Sequence, residues 1–155
     1  MSSKYDVYQA TFKDLDELSN LFNEYRLFNG QQSNLECAHQ FLFERFEHRE
    51  SIIFVVKDIS KNMISGFTQL YPVFSSISLE RSLILNDLFV LREYRKQGLG
   101  QLLLEEARRY AVQIKAKGIE LSTAVNNLQA QRLYERNGYV KDQDFYHYFL
   151  STKNN

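Results

Sequence analysis

The stretch "NDLFVLREYRKQGLGQLLLEEARRYA", residues 86–111, changes period in its middle. Up to Leu91 it continues an apolar run, "LILNDLFVL", rich in strand-forming residues and interrupted only by Asn86 and Asp87. After Gly98 the apolar positions recur as Leu99, Leu103, Ala107, Tyr110, Ala111 and Ile114, one stripe of an amphipathic helix, with Glu105, Glu106, Arg108 and Arg109 largely opposite. A strand therefore gives way to a helix across Arg95, Lys96, Gln97, Gly98, Leu99 and Gly100. A helix N-terminus carries unpaired amides and the positive end of the macrodipole, and glycines let an anion approach that backbone without meeting Cβ atoms. The same pair of glycines also suits a tight turn with no ligand. A dinucleotide fingerprint would need glycine at Leu103, and a Walker loop would need a Gly-Lys-Ser/Thr ending; neither is present.

Outward from this stretch the chain alternates in type. Asp14 with Glu17, and Ser33 with Glu36, fit the capping-box pattern, each ahead of an amphipathic run. The first run places Leu15, Leu18, Phe22 and Tyr25 on one face and stops near Gly30; the second places Leu35, Ala38, Leu42 and Phe46 on one face. "YDVYQA" before them, and "SIIFVVKD", "MISGFTQLY" and "RSLILNDLFVL" after them, read as strands, with "KDISKN" as a hairpin turn. Beyond Gly118 come a short strand "IELSTAV", a short helix "NLQAQRLYERN" ending at Gly138, and a last extended segment "YVKDQDFYHYFL". Strands separated by a helix pair in parallel and hairpins pair antiparallel, so the expectation is an α/β chain with a mixed sheet.

Composition bounds the function. A chain of 155 residues, 44% hydrophobic and 14% aromatic, supports one core, and residues 1–155 read as a single domain. Nineteen basic and nineteen acidic side chains cancel, which removes the overall basic field expected of a nucleic-acid binder. No apolar run reaches the ~18 residues of a membrane span, and "MSSKYDVYQA" holds no signal-like apolar core. A cytoplasmic protein is expected. The one cysteine, Cys37, excludes an intrachain disulfide and reads as a small core filler; His39, His48 and His147 show no metal-ligand spacing, so no metal is expected.

"YRKQGLG" resembles the Arg/Gln-x-x-Gly-x-Gly/Ala signature of the GCN5-related N-acetyltransferases, which lies between the fourth strand and the following helix and binds the pyrophosphate of acetyl-coenzyme A. "NLQAQRLYERNGY" is similar to that family's Asn-x-x-Ala-x-x-x-Tyr-x-x-x-Gly-Phe/Tyr segment, carried by Asn127, Ala130, Tyr134, Gly138 and Tyr139. The element order resembles the family's as well. The resemblance implies a mixed twisted sheet of six to seven strands flanked by about four helices. It also implies acetyl-coenzyme A as co-substrate, with a metal-free site. The amides of residues 97–100, with Arg95 and Lys96 beside them, would hold the pyrophosphate. Backbone groups of Leu88, Phe89 and Val90 would pair with the pantetheine arm as an added strand pairs with a sheet edge. That requires the fourth and fifth strands to part. Family members part them with a bulge, and adjacent Asn86 and Asp87 mark the place for one. Tyr134 falls where the family has a tyrosine near the coenzyme A sulfur, able to protonate the departing thiolate. Asn127 would cap its helix, contact the cofactor, or both.

Direct transfer needs a neutral amine, so some group must accept its proton. "LNDLFV" resembles the "Leu-Glu-Asp-Phe-Phe-Val" of diamine and polyamine acetyltransferases, but Asn86 stands at the glutamate and an amide is no base. Asp87 is the first candidate and Glu80 the second. Tyr25, Phe28, Tyr71, Phe74, Asn86, Tyr146 and Tyr148 are candidate lining residues of an acceptor pocket, since aromatic faces and hydroxyls embrace cationic amines. The expected reaction is acetyl transfer to a primary amine of a small molecule. A protein or peptide acceptor, and a non-catalytic acyl-coenzyme A-binding domain, are the alternatives. Two-fold pairing into a homodimer through the last strand is compatible with such a fold.

Overall fold

The computed structural model describes residues 3–153. The chain forms two compact units, the first ending at Ser122 and the second beginning at Thr123. The first contains strand β1 (Tyr5–Gln9), helices α1 (Leu15–Phe28) and α2 (Leu35–His48), and the meander β2 (Ile52–Asp58), β3 (Met63–Ser75) and β4 (Glu80–Val90). Helix α3 (Leu99–Gln113) and β5 (Ile119–Glu120) complete it. The sheet runs β1-β2-β3-β4-β5, antiparallel until the last pair, which is parallel. This is the mixed α/β architecture expected, built on fewer strands.

Cross-strand partners share a face, and that sorts the helices into layers. Phe67 pairs with Phe89, and its ring meets Phe22 and Tyr25 of α1 at 5.9 and 5.5 Å. Phe54 pairs with Thr68, one residue along and so on the other face, and there it meets Tyr110 of α3 at 5.6 Å. Helices α1 and α2 thus cover one face and α3 the other. β2 is buried on both, which is why "IFVV" is apolar without alternation. Leu18, Leu42, Val55, Phe67 and Leu103 are fully buried among these layers.

Several local expectations change. Asp14 does not cap α1; it closes a capping box with Thr11 around the 3-10 turn Phe12–Asp14 and accepts the Tyr8 hydroxyl at 3.0 Å. The cap of α2 is Asn34 rather than Ser33, its side chain accepting the Cys37 amide. Cys37 lies off the buried face of Ala38 and Leu42, and it is exposed rather than a core filler. "IELSTAV" yields only a two-residue strand. "YVKDQDFYHYFL" forms no strand: Asp142 accepts the Asp144 amide in a local turn, and the described residues of the second unit hold no other strand to pair with. The sheet consequently has five strands, not six or seven. Helix α4 (Leu128–Arg136) does form there, capped by Asn127 as expected.

One buried polar contact ties the sheet to the turn ahead of α3. Asp58 closes the β2–β3 hairpin by accepting the Ser60 hydroxyl and the Ser60 and Lys61 amides, and it also accepts the Tyr94 hydroxyl at 2.7 Å. Tyr94 belongs to the 3-10 turn Arg92–Tyr94. The Tyr94 bond first, and the Ser60 bond next, hold the Asp58 carboxyl down to about 2 from an ordinary 3.8, against the opposing effect of burial. A depressed carboxylate contributes stability present above its unfolded pKa and lost as pH falls through the folded one. Tyr94→Phe should therefore be less stable than the parent at neutral pH. The gap should stay full down to about pH 4 and close toward pH 2, as read by urea unfolding monitored by circular dichroism at stepped pH.

Candidate functional site

The β3–β4 register steps by one residue within "LNDL": Gln69 pairs with Asp87, but Leu70 pairs with Leu85. Asn86 is the extra residue, a bulge where two adjacent polar residues break the strand pattern. Asn86 is exposed, whereas Asp87 is 6% exposed and turns to the α1–α2 face. Gln69, completely buried, donates Nε2 to Asp87 Oδ2 at 2.7 Å, Asn86 donates Nδ2 to Oδ1 at 3.2 Å, and the Thr68 hydroxyl donates to the Asp87 carbonyl at 2.8 Å. A carboxylate only accepts, so the Gln69 amide nitrogen faces it and Gln69 Oε1 is left buried without a partner. Tyr71, two residues beyond Gln69 on the same face, has its phenol pushed up to about 12, by burial first and by the Asp87 charge second; Arg45 acts in the opposite sense.

Past the bulge the sheet loses its neighbour. β4 pairs with β5 only at Leu83 with Ile119 and Ile84 with Glu120, so the outer edge of β4 along Leu88, Phe89 and Val90 has no strand beside it in the sheet. The chain then turns through Arg92–Tyr94 into α3. Lys96 and Gly98 both take left-handed backbone, at φ of 62° and 82°. Gly98 is the N-cap of α3, and open space lies where its Cβ would be. Leu99 and Gly100 precede the first α-helical bond, from the Leu102 amide to the Gly98 carbonyl, and no acidic residue occupies the first turn. The Gln97 side chain anchors the turn, accepting the Tyr5 hydroxyl and donating to the Glu93 carbonyl at 3.2 Å. Its backbone remains at the helix mouth. Arg95 donates Nε to the Val90 carbonyl at 2.9 Å and lies 4.7 Å over Phe28 and 5.5 Å from Phe89. An open amide-lined helix mouth, flanked by Arg95 and Lys96 and continuous with a strand edge whose Val90 carbonyl is held by Arg95, fits a diphosphate followed by an amide-bearing arm.

Other candidates divide by position. Tyr25 and Phe28 lie along the end of α1, with rings 5.6 and 5.8 Å from Phe89. Glu80 begins β4 opposite Ser75, roughly 20 Å along the strand from Asp87, and the exposed Phe74 lies at that same far end beside Arg81. In the second unit, Asn127 accepts the Ala130 amide at 3.1 Å, and the Tyr134 ring meets Tyr139 edge-on at 5.9 Å. Burial raises the Tyr134 phenol, which keeps it protonated. Tyr146 and Tyr148 are exposed. Among the described residues no group of three or more His, Cys, Asp or Glu is placed to hold a metal ion, and no helix is long and apolar enough to cross a membrane. Gln69 and Thr68 were not anticipated; two polar residues inside the buried run "GFTQLY" were the available signal.

Comparisons with known proteins identify the family of the chain. The family model described as "Acetyltransferase (GNAT) family" matches residues 15–139. An uncharacterised N-acetyltransferase of Bacillus subtilis, YhfO, is 44% identical over 147 residues, covering 95% of this chain and 97% of that one. A crystal structure of a probable acetyltransferase superposes with a TM-score of 0.92 at 39% identity, covering 97% of this chain and 99% of the other. L-ornithine N5-acetyltransferase NATA1 of Arabidopsis thaliana is 26% identical over 85 residues, covering 55% of this chain and 37% of that protein.

Removing one partner from a buried carboxylate costs more than removing both. Gln69→Met should destabilise the protein by about 1–3 kcal/mol in denaturant unfolding. Pairing it with Asp87→Leu should recover much of that loss.

Proposed function

Because this chain belongs to the GNAT acetyltransferase family, we propose that it transfers the acetyl group of acetyl-coenzyme A directly to a primary amine of a small molecule. The observation that carries the reading is the run from the Gly98 helix mouth, along the unpaired β4 edge, to a buried carboxylate held by Gln69 at the bulge. Acetyl-coenzyme A supplies an activated acyl group. In this reading its pyrophosphate lies on the amides of residues 97–100 with Arg95 and Lys96 beside it, and its pantetheine amides pair with Leu88, Phe89 and Val90.

The acceptor arrives as an ammonium, with an alkyl pKa near ~10.4, and must lose a proton before it can attack. Asp87 takes that proton, directly or through one water, while Gln69 and Asn86 fix its two oxygens. The carbon–nitrogen bond forms as the carbon–sulfur bond breaks, and a second proton passes from the nitrogen to solvent water as the amide is made. By the motif it shares with the family, Tyr134 would be the donor to the departing sulfur; burial raises its phenol and keeps it protonated, and Asn127 caps its helix. Glu80 stands too far along β4 to share the Asp87 role. Tyr25, Phe28 and Tyr71 supply aromatic and hydroxyl surface on the Asp87 face, suited to an alkyl ammonium, with Asn86 at the bulge beside it. The match to a protein named for the side-chain amine of ornithine supports a small, flexible acceptor.

The test is thiol release from acetyl-coenzyme A with a panel of primary amines, amino acids and peptides. Turnover on small amines is expected. Turnover on peptides alone would replace the proposed acceptor class, and coenzyme binding without turnover on anything would replace the catalytic reading. Gly98→Asp sets a carboxylate and a Cβ in left-handed backbone at the helix mouth, and should weaken coenzyme A binding by at least ~100-fold in calorimetric titration of the folded variant. Asp87→Asn should slow turnover most at low pH, by ~10- to 1,000-fold, and recover as rising pH supplies neutral amine. A pH–rate profile parallel to the parent's would remove Asp87 as the base.

A further inference from the structure

The end of the sheet opposite the Gly98 turn holds a second cavity. The C-terminal ends of α2 and α3 close there on the starts of β2 and β4, leaving a space of about 360 Å³. Its lining includes Arg45, Arg49, Ser51, Arg81, Tyr110 and Ile114. The floor is apolar, since Ile53 and Leu83 are buried in the sheet and Tyr110 is packed edge-on against Phe54. The rim is cationic.

The three guanidinium groups are in different states. Arg45 is neutralised by Glu44 and Glu50 at 3.3 and 3.2 Å and lies 4.4 Å over the Phe41 ring. Arg49 and Arg81 form no ion pair with a carboxylate among the described residues; Arg81 lies 5.7 Å from the Phe74 ring. Arg49 is also the left-handed cap of α2, at φ of 52°, in backbone that a branched or bulky residue adopts at a cost. The hydroxyl oxygen of Ser51 is buried and has no hydrogen-bond partner, although nearly all such groups in folded proteins are satisfied by protein, water or ligand. Two cations without counter-charge therefore flank an apolar hollow large enough for a small molecule, with the orphaned Ser51 hydroxyl buried behind its wall.

We propose that this cavity binds a small organic anion whose oxyanion head is held by Arg49 and Arg81, and whose apolar body lies against Leu83, Tyr110 and Ile114. Guanidinium forks suit carboxylate and phosphoryl oxygens alike, and the apolar floor selects against a bare inorganic ion. The site requires neither coenzyme A nor an amine acceptor, so it stands apart from the acetyl-transfer reading.

The test is a titration of the isotopically labelled full chain with phenyl phosphate, benzoate, inorganic phosphate and benzyl alcohol at constant ionic strength, followed by amide resonances. Phenyl phosphate or benzoate should produce saturable shifts at Ser51, Ile53, Leu83 and Tyr110, at lower concentration than inorganic phosphate. The tighter of the two identifies the head group. Arg49→Ala combined with Arg81→Ala should weaken this binding at least ~10-fold while leaving phosphate-induced shifts near Gly98 unchanged. The proposal is overturned if benzyl alcohol saturates the same resonances at the same concentration, if neither organic anion gives saturable shifts there, or if the double arginine variant binds as the parent does.

Discussion

The extra residue at Asn86 decides which side of the sheet carries the chemistry. Pairing Leu85 with Leu70 and continuing without a step would set Asp87 opposite Thr68, on the face covered by α3. The bulge instead sets it opposite Gln69, toward α1 and α2, where the amide of Gln69 and the aromatic ends of α1 are found. It also bends β4 where its ladder with β5 stops. One insertion in one strand thus buries the carboxylate and bares the edge beside it.

Much of this was legible in the chain because the relevant signals are local. The change of period at Gly98 marked the strand-to-helix transition, and the left-handed φ of Gly98 gives that position a reason to be glycine. Asn86 and Asp87 marked the bulge because alternation exposes only one of two neighbours. Gln69 and Thr68 escaped notice because their role depends on register with a strand about 18 residues away, and register is a property of the pair. Their polarity within a buried run was the trace they left.

The misreadings have a common cause, competition between nearby hydrogen-bonding groups. Thr11 recruits Asp14 away from capping α1, and Asn34 takes the cap of α2 in place of Ser33. Strand propensity in the last segment likewise met a local turn at Asp142 and no partner within its own unit. A strand needs a neighbour as well as suitable residues, and only the first of these requirements is invisible in a linear pattern.

The two-rung ladder between β4 and β5 also bears on the order of assembly. β2, β3 and β4 join through short antiparallel hairpins, so each of those contacts follows closely on the last, whereas β1 reaches β2 only across α1 and α2. The parallel pair must instead wait for the whole crossover through α3, and the entropy lost in closing that loop is returned by only two matched positions and the packing of the helix. Kinetically, then, the meander is the natural nucleus and the α3–β5 closure a late event. The part of the molecule bearing the helix mouth is supported chiefly by the α3 stripe of Leu99, Leu103, Leu104, Ala107 and Ala111, so substitutions in that stripe govern how fast the region opens more than how fast the chain first collapses.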